Sequence, residues 1–424
     1  MLTKSAEGLK QSGFNWLKEV ERILTGIGFT RCHQDPKLYK LLHDFDDIIT
    51  LLVQIDDFYG SALRRNTISW LFDTLQRKST PILKNLGELS YGYGINFTWN
   101  EDRSERSMDQ HRYLDHLLVR FNAQDGKQRF ETAPNMKPEE IINSDDLCSS
   151  GDSSLYRSIT GSTLFLLRIT RPDIAHAQLT LNRCMSRVTK PALRAAYWLL
   201  DYLRTTRHYK LTYSKKPRHK RLVAMGLTGP RSKYKSTALA EFTDSNYAID
   251  KSTSSCWTLL ANSVVKQYVR LQKNTSLSST QAEIYATLEG WKDVKFTRNI
   301  IAFMTCRDVE DIPATPFFID SKSARNHTEI PKYSAAMKHL ANADYAARDA
   351  LERGEIMALP ISGLENPADI GTKYLGRVAT EAHAQMLLNL SDDEVASVYW
   401  KAKADAARKV ANQNRSEFKS KTGG

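Results

Sequence analysis

The chain has 424 residues, of which 41% are hydrophobic and 25% are charged, and this composition excludes a disordered or fibrous protein. At about 150 residues per domain, the length predicts two to three domains. The 60 basic residues outnumber the 48 acidic ones, giving a net charge of +12. Such an excess favours a polyanionic partner, with nucleic acid first, although solubility alone explains the charge of many basic proteins.

The sequence also predicts an intracellular protein without a membrane partner. Its apolar runs are too short to span a bilayer, and the segment "MLTKSAEGLKQSG" lacks the apolar core of a signal peptide. The five cysteines are scattered without the spacing of a zinc ribbon, which is typical of buried thiols in a reducing compartment. They are Cys32, Cys148, Cys184, Cys256 and Cys306.

The first 121 residues alternate between helical and strand patterns. Apolar residues at helical spacing predict a helix over 14–29, and the runs 36–42 and 47–63 predict two strands joined by a turn. That hairpin carries Asp56 and Asp57 near its middle. Residues 67–86 return to a helical period, and 91–121 predict a strand, a polar turn and a helix.

The middle of the chain predicts a linker followed by helices. Residues 122–154 are rich in Asn, Asp, Ser and Pro, which favours a loop, and helical patterns follow over 154–188 and 190–209. The basic, proline-broken run "YSKKPRHKR" (213–221) indicates a boundary. After about residue 385 the composition becomes polar, and we expect a helical tail that frays.

Four acidic residues in the C-terminal half stand where their side chains can converge. Asp244 lies in the predicted strand "AEFTDSNYA", and Glu283 lies in a helix that opens with Ser and Thr caps. Asp320 ends the apolar run "PFFID", and Asp369 follows Pro367 at the start of a helical stretch. This order of strand, helix, strand end and late helix resembles the layout of an RNase H-type nuclease.

Each of the four acids also has an ordinary structural interpretation. Glu283 can be a solvated helix residue, Asp320 can cap the next segment, and Asp369 can be an early-helix acid favoured by the dipole. Asp244 is the hardest to explain in this way, because a carboxylate in a strand is costly to bury unless it is paired or bound to a metal.

Seven blocks of the chain, in order, resemble the polyprotein of copia-type long-terminal-repeat retrotransposons. They are "GLKQSGFNW", "LLVQIDDFYGSA", "LYRSITGSTLFLLRITRPDIAHA", "FTDSNYAIDKSTSSCWTLL", "SSTQAEIYATLEG", "FIDSKSA" and "NPADIGTK". The resemblance covers residues 8 to about 376. It implies the C-terminal part of a reverse transcriptase followed by RNase H.

The resemblance implies a multidomain α/β and α+β fold. A partial reverse-transcriptase palm is expected over 1–75, a thumb-like segment and linker over 76–150, and a helical connection over 151–213. An RNase H-like domain is expected over 214–385, built on a mixed five-stranded sheet with helices on both faces. A polar tail is expected over 386–424.

The resemblance also implies the chemistry of the site. Asp244 is expected to bridge two Mg²⁺ or Mn²⁺ ions, with Glu283 and Asp320 on one ion and Asp369 on the other. The implied partner is an RNA–DNA hybrid or another nucleic acid, in the cytoplasm or the nucleus. The residues expected to contact it are Lys215, Lys216, Arg218, Lys220, Arg221, Ser245, Lys338 and His339.

Polymerase activity is not expected from this chain. Asp56 and Asp57 resemble half of a polymerase metal site, but two-metal nucleotidyl transfer needs a third carboxylate from an upstream strand. In the family that Asp and the fingers lie before the "GLKQS" block, whereas here only seven residues precede Gly8. Asp56 and Asp57 are therefore expected to be vestigial.

Three other interpretations remain open from the sequence. The chain can be a catalytically inactive nucleic-acid-binding remnant of a decayed or domesticated element, held to its partner by the basic surface. It can be a host nuclease of the same superfamily, against which the "IDD" hairpin and the "TRPDIAHA" block argue. It can also fail to fold stably, because an incomplete palm leaves an exposed sheet edge.

Overall fold

The protein is a mixed α/β molecule with several sheets, as the sequence predicts. A computed structural model contains twelve α-helices and three sheets in the described parts of the chain. The chain divides into two compact units, 1–90 with 295–312, and 91–294 with 313–424. The structure describes residues 11–44, 46–79, 82–134, 136–227, 239–248, 250–329 and 345–391.

The first unit is a four-stranded antiparallel sheet with two amphipathic helices. In strand β3, Ile49, Leu51 and Val53 are buried while their neighbours are partly exposed, the period-2 pattern of a sheet with one covered face. Val20 and Leu24 of helix α1 belong to the same apolar cluster. The elements are α1 Ser12–Ile27, β1 Thr30–Arg31, β2 Leu38–Asp44, β3 Asp47–Gln54, β4 Asp57–Ser61 and α2 Arg65–Lys78.

Two predictions for this unit are wrong in detail. The run 47–63 is not one strand but two, because the chain turns at Ile55, where φ is +54°, and returns as β4. The helix predicted over 67–86 ends at Lys78. Pro81 follows this end by three residues in the sequence, and helices usually end before a proline.

The N-terminal part of the second unit joins a small antiparallel sheet to a helical bundle. The sheet has the order β5-β6-β7-β8, and β8 comes about 100 residues after β7 in the chain. The elements are β5 Tyr91–Gly92, β6 Ile95–Trp99, β7 Glu105–Asp109, α3 His111–Arg120, α4 Pro138–Ile142, α5 Ser150–Ile169, α6 Ala175–Arg183, α7 Lys190–Thr205, β8 Leu211–Ser214 and α8 Lys220–Met225.

The described residues between 122 and 149 are mostly irregular, as their composition predicts, but several of them are packed into the core. Ala123, Ala133 and Ile141 are buried in the same apolar cluster as the helices α5 and α7. Thr189 donates a 2.6 Å hydrogen bond to the carbonyl of Ile141, which fixes α4 to the start of α7. A few apolar residues therefore suffice to pack a segment that is polar on average.

The C-terminal part of the second unit contains the predicted mixed five-stranded sheet, in the order β11-β10-β9-β12-β13. The pairs β11–β10 and β10–β9 are antiparallel, whereas β9–β12 and β12–β13 are parallel. Helix α9 spans Ser279–Thr305, and its residues from 295 onward are counted with the first unit. The elements are β9 Ala240–Asn246, β10 Thr253–Leu260, β11 Ser263–Leu271, α9 Ser279–Thr305, β12 Thr315–Ile319, α10 Lys322–Glu329, α11 Ala346–Glu352, β13 Ile356–Pro360 and α12 Arg377–Leu388.

Both faces of this sheet are covered. Phe242 of β9 and Phe318 of β12 stack at 4.7 Å on one face, in the same apolar cluster as Leu387 of α12. On the other face, Gly290 of α9 lies so close to Thr243 that a Cβ there would be only 2.7 Å from its methyl carbon. Helix α12 ends at Leu388, three residues beyond the boundary predicted for the tail. Residues 392–424 of that tail lie outside the described residues.

Candidate metal centre

Two of the four acids are brought together by the parallel strand pair β9–β12. Ile319 pairs with Thr243, so Asp320 and Asp244, the next residues along each strand, stand side by side at the carboxyl edge of the sheet. The ends of parallel strands meet at one edge, which is why ligands in open α/β sheets bind there. Asp244 is nearly fully buried.

Helix α9 supplies the third acid. Its start is capped by Ser278, whose hydroxyl accepts a 3.2 Å hydrogen bond from the backbone N–H of Gln281. Glu283 follows in the first turns, where the helix passes the sheet edge. The Ser278–Thr280 segment therefore supplies a helix cap, as its sequence predicts.

Asp369 lies in a 3₁₀ helix, Pro367–Gly371, rather than at the start of an α-helix. Asn366 accepts a 3.1 Å hydrogen bond from the N–H of Ala368 and donates a 2.7 Å hydrogen bond to the carbonyl of Thr243. These bonds fix the short helix to the central strand, next to Asp244.

The first three carboxylates form a cluster of the size that holds a cation. One oxygen each from Asp244, Glu283 and Asp320 lie within 4.8 Å of one another. Glu283 Oε2 and Asp320 Oδ1 are buried and have no hydrogen-bond partner among the described residues. Buried carboxylate oxygens without a partner are costly, and a cation bound between them removes that cost.

Asp369 is part of the same site but is paired differently. Lys373 Nζ lies 2.8 Å from Asp369 Oδ1 and 3.7 Å from Asp244 Oδ2. Thr372 donates a hydrogen bond to the Asp244 carboxylate. The structure thus gathers all four predicted acids at one edge of the sheet. Three form a cluster of cation size, and the fourth forms an ion pair with the ammonium group of Lys373.

Burial raises the pKa values of all four acids. Burial, together with the charges of Asp244 and Asp320, raises the pKa of Glu283 to about 9. Burial raises the pKa of Asp244 to about 6, although Lys373 opposes the shift. The pKa values of Asp320 and Asp369 are also raised, chiefly by burial.

The donor set fits a magnesium or manganese ion. Both ions prefer oxygen ligands, and Mg²⁺ keeps several waters while taking only a few protein carboxylates. Asp244, Glu283 and Asp320 supply such oxygens at one place, and Asp369 lies beside Asp244 on the other side of Lys373 Nζ.

The residues predicted to contact nucleic acid are more dispersed. Lys215 and Lys216 are exposed after strand β8. Arg221 has only 10% of its side chain exposed and forms a 2.6 Å ion pair with Glu365, and Arg218 lies 3.5 Å from Glu105. These pairings leave the two lysines as the better phosphate contacts.

The remaining predicted contacts lie elsewhere. Lys220 is exposed at the start of α8, and Ser245 is buried next to Glu283. Lys338 and His339 lie outside the described residues.

Asp56 and Asp57 are exposed at the tip of the β3–β4 hairpin. Within the described part of the chain, no further acidic or histidine side chain gathers with them into a cluster of cation size. The expectation that they are vestigial is consistent with this geometry and stays a prediction.

Sequence reasoning missed Lys373 and the cleft beside it. The cleft has a volume of about 410 Å³ and reaches from Asn246 and Lys373 to Lys137, His176 and Tyr374. A local signal for Lys373 existed, since it follows Asp369 by four residues, the spacing at which opposite charges pair on a helix. The cleft had no such signal, because its walls come from distant segments.

Fold and site together define a protein with a carboxylate centre at the edge of a mixed sheet. No protein-family model matches the chain. It is 25% identical over 387 residues, 89% of its length, to the retrovirus-related Pol polyprotein from transposon TNT 1-94 of Nicotiana tabacum, of which it covers 27%. It is 27% identical over 391 residues, 91% of its length, to that from transposon RE1 of Arabidopsis thaliana, of which it covers 25%.

A third relative is the Pol polyprotein from transposon RE2 of Arabidopsis thaliana, at 26% identity over 89% of this chain and 24% of that protein. The chain therefore spans about a quarter of the length of these relatives. The predicted relationship to the Pol polyproteins of copia-type retrotransposons is confirmed. Across the described ranges, no helix is both long and apolar enough to cross a bilayer.

Proposed function

We propose that this retrotransposon-derived chain hydrolyses the RNA strand of RNA–DNA hybrids with divalent metal ions, as an RNase H. The observation that carries the proposal is the convergence of Asp244, Glu283 and Asp320 within 4.8 Å, with buried oxygens that lack partners among the described residues. Such a cluster is costly to fold unless a cation binds to it.

Each acid has a distinct task in this proposal. Asp244, Glu283 and Asp320 would hold one ion, and Asp369 would help to hold a second. When bound, two such ions lower the pKa of an attacking water and stabilise the departing oxygen. The sheet edge fixes Asp244 and Asp320, and the capped start of α9 fixes Glu283, so little reorganisation is needed when the substrate binds.

Support for the substrate comes from the relatives and from charge. Three relatives are named as retrovirus-related Pol polyproteins, and the chain carries a net charge of +12. RNA–DNA hybrids are polyanionic, and a protein distinguishes their RNA strand through its 2′-hydroxyl groups.

The test is cleavage of a labelled RNA–DNA hybrid by the purified chain in Mg²⁺. We expect cutting of the RNA strand only, abolished by EDTA and lowered by about 10³-fold or more in Asp244→Asn, because a shared metal ligand is worth several kcal/mol. Asp349→Asn, at an exposed position of α11, is the matched control and should cleave at the wild-type rate. Equal rates in the wild type and Asp244→Asn would contradict the proposal.

A second candidate is a catalytically inactive protein that binds nucleic acid, favoured by the exposed Lys215 and Lys216 and by the net charge. It predicts hybrid binding that weakens steeply with salt, without cleavage by a protein shown to be folded by circular dichroism. The cleavage assay and a binding assay on the same preparation therefore separate the two candidates.

A further inference from the structure

The carboxylate centre consists of two halves, and only one of them contains a positively charged side chain. The half formed by Asp244, Glu283 and Asp320 has buried oxygens without partners among the described residues. The half between Asp244 and Asp369 contains the ammonium group of Lys373, at 3.7 Å and 2.8 Å from the two carboxylates. The first half therefore offers carboxylate oxygens to a cation, whereas in the second half the carboxylates already contact the ammonium group of Lys373.

We propose that Lys373 holds the position of the second metal ion in the substrate-free protein, so that the two ions bind in a fixed order. This inference rests on the proposed function. The first ion binds to Asp244, Glu283 and Asp320. Asp244 and Asp369 would hold the second ion, and they can do so only after the ammonium group between them has moved away.

The position of Lys373 allows this exchange. Its side chain is 46% exposed, whereas the side chains of Asp244 and Asp369 are 2% and 10% exposed. The lysine therefore can move while the carboxylates stay fixed. Lys373 also lines the 410 Å³ cleft, together with Asn246 and Tyr374, so the same side chain can turn from the carboxylates towards the cleft.

A phosphate group is the partner that would draw Lys373 away. A lysine binds a phosphate as a compact positive charge on a flexible stem. A nucleic-acid strand lying in the cleft brings such phosphates next to Lys373, and the vacated carboxylates then take the second ion. Lys373 is in this view a positioning residue that couples the second ion to the substrate.

The alternative is that Lys373 only stabilises the end of the 3₁₀ helix through its i,i+4 ion pair with Asp369. Both roles predict that Lys373→Met lowers stability slightly. Only the proposed role predicts that Lys373→Met binds more ions than the wild type without nucleic acid. Both roles predict that Lys373→Arg, which keeps the charge, behaves like the wild type.

The experiment is calorimetric titration of the full chain with Mn²⁺ in the absence of nucleic acid. We expect one ion per chain in the wild type and in Lys373→Arg. We expect two ions in Lys373→Met, with the affinity for the second ion raised by about tenfold or more, because a competing charge at contact distance has been removed. Lys292→Met is the matched control, since Lys292 also pairs with a carboxylate, at 2.6 Å from Glu289, but in an exposed position.

Two results would overturn the inference in distinguishable ways. Equal stoichiometry and affinity in Lys373→Met and the wild type, with binding abolished in Asp244→Asn, overturn the role of Lys373 and leave the metal centre standing. No binding of Mn²⁺ by the wild type, Lys373→Met and Asp244→Asn overturns the proposed function and the inference together.

Discussion

At the scale of single residues, the site consists of acids whose pKa values the fold raises. Glu283 has a pKa of about 9 and Asp244 of about 6, both raised first by burial. A bound cation lowers these pKa values again, because its positive charge stabilises the ionised carboxylates. The metal-free protein therefore has a characteristic dependence of stability on pH.

We predict that the free energy of unfolding in EDTA falls as the pH rises from about 5 to 9. The folded state keeps the proton on Glu283 up to its raised pKa, whereas the unfolded state loses it near pH 4.3, so the folded state binds more protons over this range. One such group contributes a slope of at most about 1.4 kcal/mol per pH unit. The measurement is urea unfolding at pH 6, 7 and 8.

The control for this prediction is Glu283→Gln, which removes the proton without changing the shape of the side chain. Its stability should fall less steeply with pH than that of the wild type, while other buried acids such as Glu241 act equally in both proteins. Saturating Mg²⁺ should also flatten the wild-type curve. Identical slopes in the two proteins without metal would contradict a raised pKa of Glu283.

At the scale of elements, the position of Glu283 depends on how closely α9 packs on the sheet. A Cβ at Gly290 would lie 2.7 Å from Thr243 Cγ2 and 3.0 Å from Phe317 Cζ. Both atoms belong to strands in the middle of the sheet, so they have little room to move. Glu283 lies two turns before Gly290 and moves with the helix.

We predict that Gly290→Ala destabilises the protein by about 1–3 kcal/mol, the usual cost of overpacking, and weakens Mn²⁺ binding. Gly161→Ala is the matched control, because Gly161 lies within α5 and a Cβ there has no atom within 4 Å. That variant should be stabilised by about 0.5–1 kcal/mol, since alanine favours a helix. Thermal unfolding and metal titration measure both effects, and an unchanged Gly290→Ala protein would show that the helix can move away without cost.

At the scale of the whole molecule, the net charge of +12 bears on the proposed binding of nucleic acid. Arg221 forms an ion pair with Glu365, whereas Lys215 and Lys216 are exposed. Each phosphate that a basic side chain neutralises adds about 0.9 to the slope of log K against log salt concentration.

We predict that the double variant Lys215→Ala/Lys216→Ala binds an RNA–DNA hybrid more weakly, with a salt slope reduced by up to about 1.8. The matched control is Arg187→Ala/Lys190→Ala, which removes the same charge from residues paired with Asp145 and Asp146. Fluorescence anisotropy at several salt concentrations measures both slopes. Equal slopes in the two double variants would show that Lys215 and Lys216 do not contact phosphate.

Much of the fold was predictable where a pattern is local. The alternation in β3 and the apolar run before Asp320 predict strands, and the Ser and Thr residues before Glu283 predict the start of α9. The packing of residues 122–154 was not predictable, because it depends on a few apolar side chains in a segment that is polar on average. The surface that buries those side chains comes from distant helices and cannot be read from the segment itself.

The sequence by itself determined the identity and order of the four acids, and the relationship to transposon Pol polyproteins. Only the tertiary structure decided that Asp244, Glu283 and Asp320 lie within 4.8 Å of one another. It also decided that Asp369 forms an ion pair with Lys373, and Glu365 one with Arg221. The physical reason is distance along the chain. A strand or a helix start depends on neighbouring residues, whereas the partner of a charged side chain depends on which distant segments the sheet brings to the same edge.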